Sequence, residues 1–120
     1  MTAPYLAAAL LTSGVGLGLY LGLLYLRRVR RPVLVGAHLL LGAAGIETMV
    51  VLLRGTPDGV VGNGSFGIVV VVLLAAALVS GLSAPLLGKR SRQRMNILLA
   101  THAGVGLSGF VFFLAWLWST

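Results

Sequence analysis

The stretch "RRVRRPVLVGAHLLLGAAGIETMV", residues 27–50, sets four arginines against a run that is almost wholly apolar. Between Pro32 and Leu53 the only formal charge is Glu47, although a histidine, His38, sits near the basic end. An apolar helix of about 20 residues is long enough to cross the hydrocarbon layer of a bilayer. A later stretch, "KRSRQRMNILLATHAGVGLSGFVFF" at residues 89–113, returns the same order without the glutamate: basic cluster, apolar turn or two, histidine, glycines. The fold and the function both turn on what two such segments do together.

Composition agrees with a membrane. Of the 120 residues, 58% are hydrophobic and 9% charged, where a soluble domain carries about 25% charged residues. There is no cysteine, which excludes disulfides, thiolate metal sites, thiol catalysis and covalent c-type haem attachment. The net charge of +7 suggests nucleic acid only until its placement is read. Eight of the nine basic residues fall in two clusters, Arg27, Arg28, Arg30, Arg31 and Lys89, Arg90, Arg92, Arg94. Each cluster lies between apolar segments, as expected for cytoplasmic loops that set topology and touch anionic headgroups. No nucleic-acid partner is expected.

Hydropathy divides the chain into four spans near 4–26, 33–53, 66–87 and 96–118, making residues 1–120 a single transmembrane domain. Backbone groups in lipid must be satisfied internally, so the spans are expected to be helices. Short connections favour an all-α, four-helix, up-down-up-down bundle. The first span is not a cleavable signal, because its positive charge follows the apolar run. Basic loops after spans one and three place both termini on the outer side of the cell (inner) membrane, with the basic loops cytoplasmic. The loop "RGTPDGVVGNGSFG" is then external and irregular. Tyr5, Trp116 and Trp118 are expected at the outer interface and Tyr25 at the inner one. Gly14, Gly18 and Gly22 form a stripe on which another helix can approach closely.

A shift of 64 residues lays His38 on His102, with identities also at Arg28/Arg92, Arg30/Arg94, Leu34/Leu98, Gly42/Gly106 and Gly45/Gly109. In each copy the glycines fall within about 40° of the histidine around the helix. The expected result is a groove free of side chains, headed by an imidazole, against which a flat macrocycle can lie. Both histidines should sit about 9–12 Å inward from the basic loops. On diagonal helices with axes roughly 14 Å apart, two imidazoles with an iron between them span the gap. Neutral imidazole is a natural axial donor to haem iron. Arg30, Arg31, Arg92 and Arg94 are candidate partners for haem propionates.

Four glycine-rich helices with "GAHLLLG" on the second and "ATHAGVG" on the fourth resemble the haem-binding core of cytochrome b561-like membrane cytochromes. The resemblance implies b-type haem held by histidines on alternate helices. Members of that family typically hold two haems with four histidines, whereas this chain has two histidines. It therefore implies one haem b, near the inner side, with His38 and His102 as axial ligands. One haem leaves much of the roughly 30 Å hydrocarbon layer uncrossed, so a membrane redox partner or larger complex is expected.

Other readings stand beside this one. Each histidine can be neutral and hydrogen-bonded to a neighbouring helix with no cofactor at all. Bacteriochlorophyll is a further alternative, although its magnesium usually takes one axial histidine where a facing pair favours iron. Glu47 lies nine residues after His38 and so points the opposite way. It is expected to pair with Arg54, to meet a partner protein, or to handle protons. A small multidrug exporter would carry its essential carboxylate in the first span, which here has none. A non-redox accessory subunit of a respiratory or photosynthetic complex remains, with the glycine stripe and Glu47 as docking faces. Thr48 and Ser80 are expected to bond backbone. No nucleophile–base pair, phosphate loop or carboxylate pair is present, so the chain reads as an electron-transfer protein or subunit rather than a stand-alone enzyme.

Overall fold

A computed structural model of the chain describes residues 3–54 and 64–119. These residues form four α-helices: α1 (Ala3–Leu26), α2 (Pro32–Arg54), α3 (Gly64–Leu87) and α4 (Arg92–Ser119). At 1.5 Å per residue the shortest reaches about 34 Å, more than the hydrocarbon thickness. All four are long and apolar enough to cross a membrane. The bundle measures 50 × 22 × 20 Å. No polar or charged side chain is fully buried among the described residues, while leucines, valines and isoleucines cover the outside. In water such a surface would be an aggregation hazard; in lipid it is the ordinary exterior of a span.

The ends have identifiable causes. Pro32 opens α2 at the first helical position, where its missing N–H costs nothing. Helix α1 closes with the Val29 N–H on the Leu24 carbonyl at 2.9 Å and the Arg28 N–H on the Tyr25 carbonyl at 3.0 Å. That pattern puts Arg28 at the position where helices favour glycine, and its φ is 59°. Helix α4 begins at Arg92 and α3 at Gly64, each slightly earlier than hydropathy predicts. The backbone is indifferent to polarity here, and Arg92 and Arg94 are helical where a loop was expected. The expected external loop falls largely outside the described residues.

Helix α1 packs chiefly on α2 and α3 on α4. Lesser contacts join α2 to α3 and α1 to α4, which leaves α2 and α4 diagonal to one another. Glycines explain the close pairing. A Cβ on Gly45 would lie 2.5 Å from Leu11 Cδ2, and one on Gly109 would lie 3.0 Å from Leu74 Cδ2. Gly14 lies against Leu41, and Gly106 against Ala77. Positions 11, 14 and 18 of α1 thus correspond to 74, 77 and 81 of α3, a shift of 63. Positions 38, 42 and 45 of α2 correspond to 102, 106 and 109 of α4, a shift of 64. The weak sequence repeat is therefore a repeat of contacts, with one extra residue in the second basic turn.

The buried core follows the same correspondence. It consists of Ala7, Leu11, Met49 and Leu52 from the first pair and Val70, Leu74, Phe113 and Trp116 from the second. On α2 and α4 these residues all lie beyond the histidine, away from the basic turns. On the basic side, the buried hydrophobic residues among those described are Leu24 and Ala84. One end of the bundle is close-packed and the other is not. Burial against lipid tails gains little from the hydrophobic effect, so van der Waals fit dominates at the packed end. Trp116, expected at the outer interface, is instead fully buried: Gly67 makes room for its indole and Phe113 stacks beside it. Tyr5 and Trp118 are exposed.

Candidate functional site: the paired histidines

His38 reaches from α2 toward α1, where its Nδ1 lies 2.8 Å from the Gly14 carbonyl oxygen. His102 does the same from α4 toward α3, with Nδ1 2.7 Å from the Ala77 carbonyl oxygen. A carbonyl only accepts, so Nδ1 carries the proton in both rings, and the neutral ring then has a bare lone pair at Nε2. Each ring also brings its Cε1 close against a glycine. A Cβ on Gly18 would be 2.7 Å from His38 Cε1, and one on Gly81 would be 2.8 Å from His102 Cε1. Only glycine leaves space for an imidazole there. Neighbouring helices therefore fix tautomer and position together.

The two rings meet between the helix pairs. Their centroids are 5.8 Å apart and their planes are at 87°. Among the described residues no hydrogen bond engages either Nε2, and no group of three or more His, Cys, Asp or Glu gathers around them. The site is thus two adjacent imidazoles of the same tautomer, supplied by diagonal helices.

The glycines expected to floor a groove divide. Gly45 and Gly109 face their own partner helix and are covered by leucines, so they serve helix approach. Gly106 has the Ala77 methyl against it, whereas Gly42 faces open space. Gly18 and Gly81, which touch the rings directly, are the residues sequence reasoning missed as part of the site. By spacing Gly18 belongs to the packing stripe with Gly14 and Gly22, and Gly81 lies outside the 64-residue register. The signal was present at a shift of 63.

No family model, curated protein or solved structure matches the chain. The geometry of the site is what any reading of it rests on.

At the basic end, Tyr25 donates a hydrogen bond to Asn96 Oδ1 at 2.6 Å, and the Arg92 guanidinium sits 5.3 Å from the Tyr25 ring centre. Arg30, Arg31 and Arg94 are exposed. Glu47 is exposed on the outer face of α2, and no ion pair joins it to Arg54 among the described residues. Thr48 and Ser80 bond the backbone carbonyls of Ala44 and Ala77, the usual use of a hydroxyl in an apolar helix.

Proposed function

We propose that the chain is a small integral membrane b-type cytochrome, in which His38 and His102 hold one haem b and through which single electrons pass. The observation that carries this reading is the adjacent imidazole pair, each ring with its Nδ1 on a backbone carbonyl. Ligating histidines almost always donate the other ring N–H to a carbonyl or carboxylate, and both rings do so here.

The donor set fits a haem better than a bare ion. Bare zinc sites use three or four protein ligands, and two histidines fall short of that. A haem brings its own in-plane nitrogens and needs only axial ligands. At 5.8 Å between ring centres the two imidazoles are near enough that one group would be held by both. The thin packing on the basic side of the pair also fits a bulky group there. Gly45 and Gly109 are already occupied by leucines, so any macrocycle contact to glycine falls on Gly42 and Gly106.

Haem b so held would supply a reversible one-electron couple. The chain's own residues orient the axial nitrogens through the Gly14 and Ala77 carbonyls and offer Arg30, Arg31, Arg92 and Arg94 to propionates. The reading takes the bundle as up-down-up-down, both termini outside the inner membrane and the basic turns cytoplasmic, supported by the two arginine clusters. A single haem near one side needs a membrane redox partner.

A second reading is a non-redox accessory subunit, favoured by Glu47, which is exposed and has no ionic partner among the described residues. The discriminating experiment is an absorption spectrum of the detergent-purified protein, oxidised and dithionite-reduced, with pigment extraction. A sharp reduced b-type spectrum at one haem per chain is expected. A protein that stays colourless after haem is supplied makes the histidines structural, and extraction of bacteriochlorophyll replaces the iron with magnesium.

A further inference from the structure

We infer that the crevice between α1 and α4 is a binding site for one anionic phospholipid, with an acyl chain in the crevice and the phosphate on the arginines at its basic end. The crevice holds about 420 Å³ between Leu19, Gly22 and Leu23 on α1 and Leu99, Ala100 and Ala103 on α4. This inference does not rest on the haem reading.

Its walls are almost wholly apolar, and Leu19, Leu23 and Leu26 are exposed, so it communicates with the surrounding hydrocarbon. From Leu19 to Leu26 the helix rises about 10 Å, a stretch of many methylenes. At the end nearest the basic turn the character changes abruptly. Tyr25 and Asn96 close the crevice with their hydrogen bond, and Arg92 lies over the tyrosine ring. Arg27 and Arg28 are exposed on the adjoining turn. No acidic side chain occurs between Met1 and Ile46 or after Asp58, so nothing on these segments neutralises that charge. An apolar slot ending in uncompensated guanidinium groups matches a molecule with a long tail and a phosphate. Basic pockets between membrane helices commonly take such headgroups.

The related seam between α2 and α3 lacks the tyrosine–asparagine closure. Under the contact correspondence Tyr25 becomes Gly88 and Asn96 becomes Pro32, whereas Arg92 becomes Arg28. The two halves of the repeat share the arginine and differ in what closes the slot beneath it.

The test is native mass spectrometry of the full chain in detergent, titrated with phosphatidylglycerol and with phosphatidylcholine of the same acyl chains. One phosphatidylglycerol per chain should bind at least fivefold more tightly than phosphatidylcholine. Arg92→Gln should weaken the first phosphatidylglycerol by about fivefold. Arg54→Gln, which removes the same charge at the far end of α2, should leave it unchanged. Gly22→Leu should abolish the first binding event; a Cβ at Gly22 meets nothing within 4 Å, so the backbone admits a side chain there, and Gly22 lines the crevice that the leucine would enter. Equal affinity for the two lipids, equal effects of the two arginine variants, or wild-type binding by Gly22→Leu would each overturn the proposal.

Discussion

The imidazole of His38 stands at 87° to that of His102, with 5.8 Å between ring centres, and each is tied to a carbonyl on a different helix. Neither histidine touches the other through a shared proton. Their relation is set by two separate clamps, which makes the clamps as testable as the rings.

On the haem reading proposed above, removing either ring should remove the cofactor. His38→Ala and His102→Ala are expected to lose haem completely, as read by the reduced absorption spectrum per chain. Glu47→Gln, on the opposite face of α2, should keep full occupancy. Equal haem content in all three variants would sink the site assignment.

The glycines beneath the rings should matter almost as much. Gly18→Ala and Gly81→Ala place a methyl within 3 Å of an imidazole carbon, and overpacking of this kind costs about 1–3 kcal/mol. Both variants should melt earlier and hold haem weakly. Gly16→Ala and Gly104→Ala, where an added Cβ meets nothing within 4 Å, should stay within about 0.5 kcal/mol of wild type. Thermal unfolding in detergent, followed by circular dichroism, separates the two sets.

At the packed end, Gly67→Ala should be destabilising, because the new methyl would fall 2.5 Å from Leu53 Cδ2 and 3.0 Å from Trp116 Nε1. The indole N–H itself is buried with no hydrogen-bond partner among the described residues. An unmade hydrogen bond of that kind costs about 1–3 kcal/mol. Trp116→Phe removes it along with some packing, so its melting temperature should fall less than that of Gly67→Ala. The reverse order would show that the N–H is satisfied.

Arg28 holds a left-handed backbone conformation at the end of α1. For a non-glycine residue this costs roughly 1–2 kcal/mol. Arg28→Gly should therefore raise the unfolding midpoint, and Arg28→Val, with a branched Cβ, should lower it. A fall for both would mean that the guanidinium contributes more than the backbone strain removes.

Much of the fold was legible because the bilayer restricts the choices. Four apolar runs had to be helices, and their limits came within a few residues of those observed. The histidines were legible for a related reason: a polar ring at matched depth in two spans stands out against leucine. What could not be read was which neighbour each glycine faces. Gly45 and Gly109 lie on the histidine face by helical angle, yet that face also meets the adjacent helix, and a leucine takes the space. Angular position on one helix does not say whose side chains arrive from the next. Trp116 was misplaced by the same limitation, since an aromatic near a span end fits the interface until a glycine on another helix opens a slot for it. Glu47 and Arg54 share a face by spacing but make no ion pair.

The contact repeat has a consequence for how the chain can be divided. Each contact described here that orients His38 lies within Ala3–Arg54, and each that orients His102 lies within Gly64–Ser119. Each half can aim one imidazole and has nothing to oppose it. Two separately synthesised fragments would each carry one clamped imidazole, and contacts between the halves, such as Tyr25 to Asn96 and Gly67 to Leu53, would set one ring against the other.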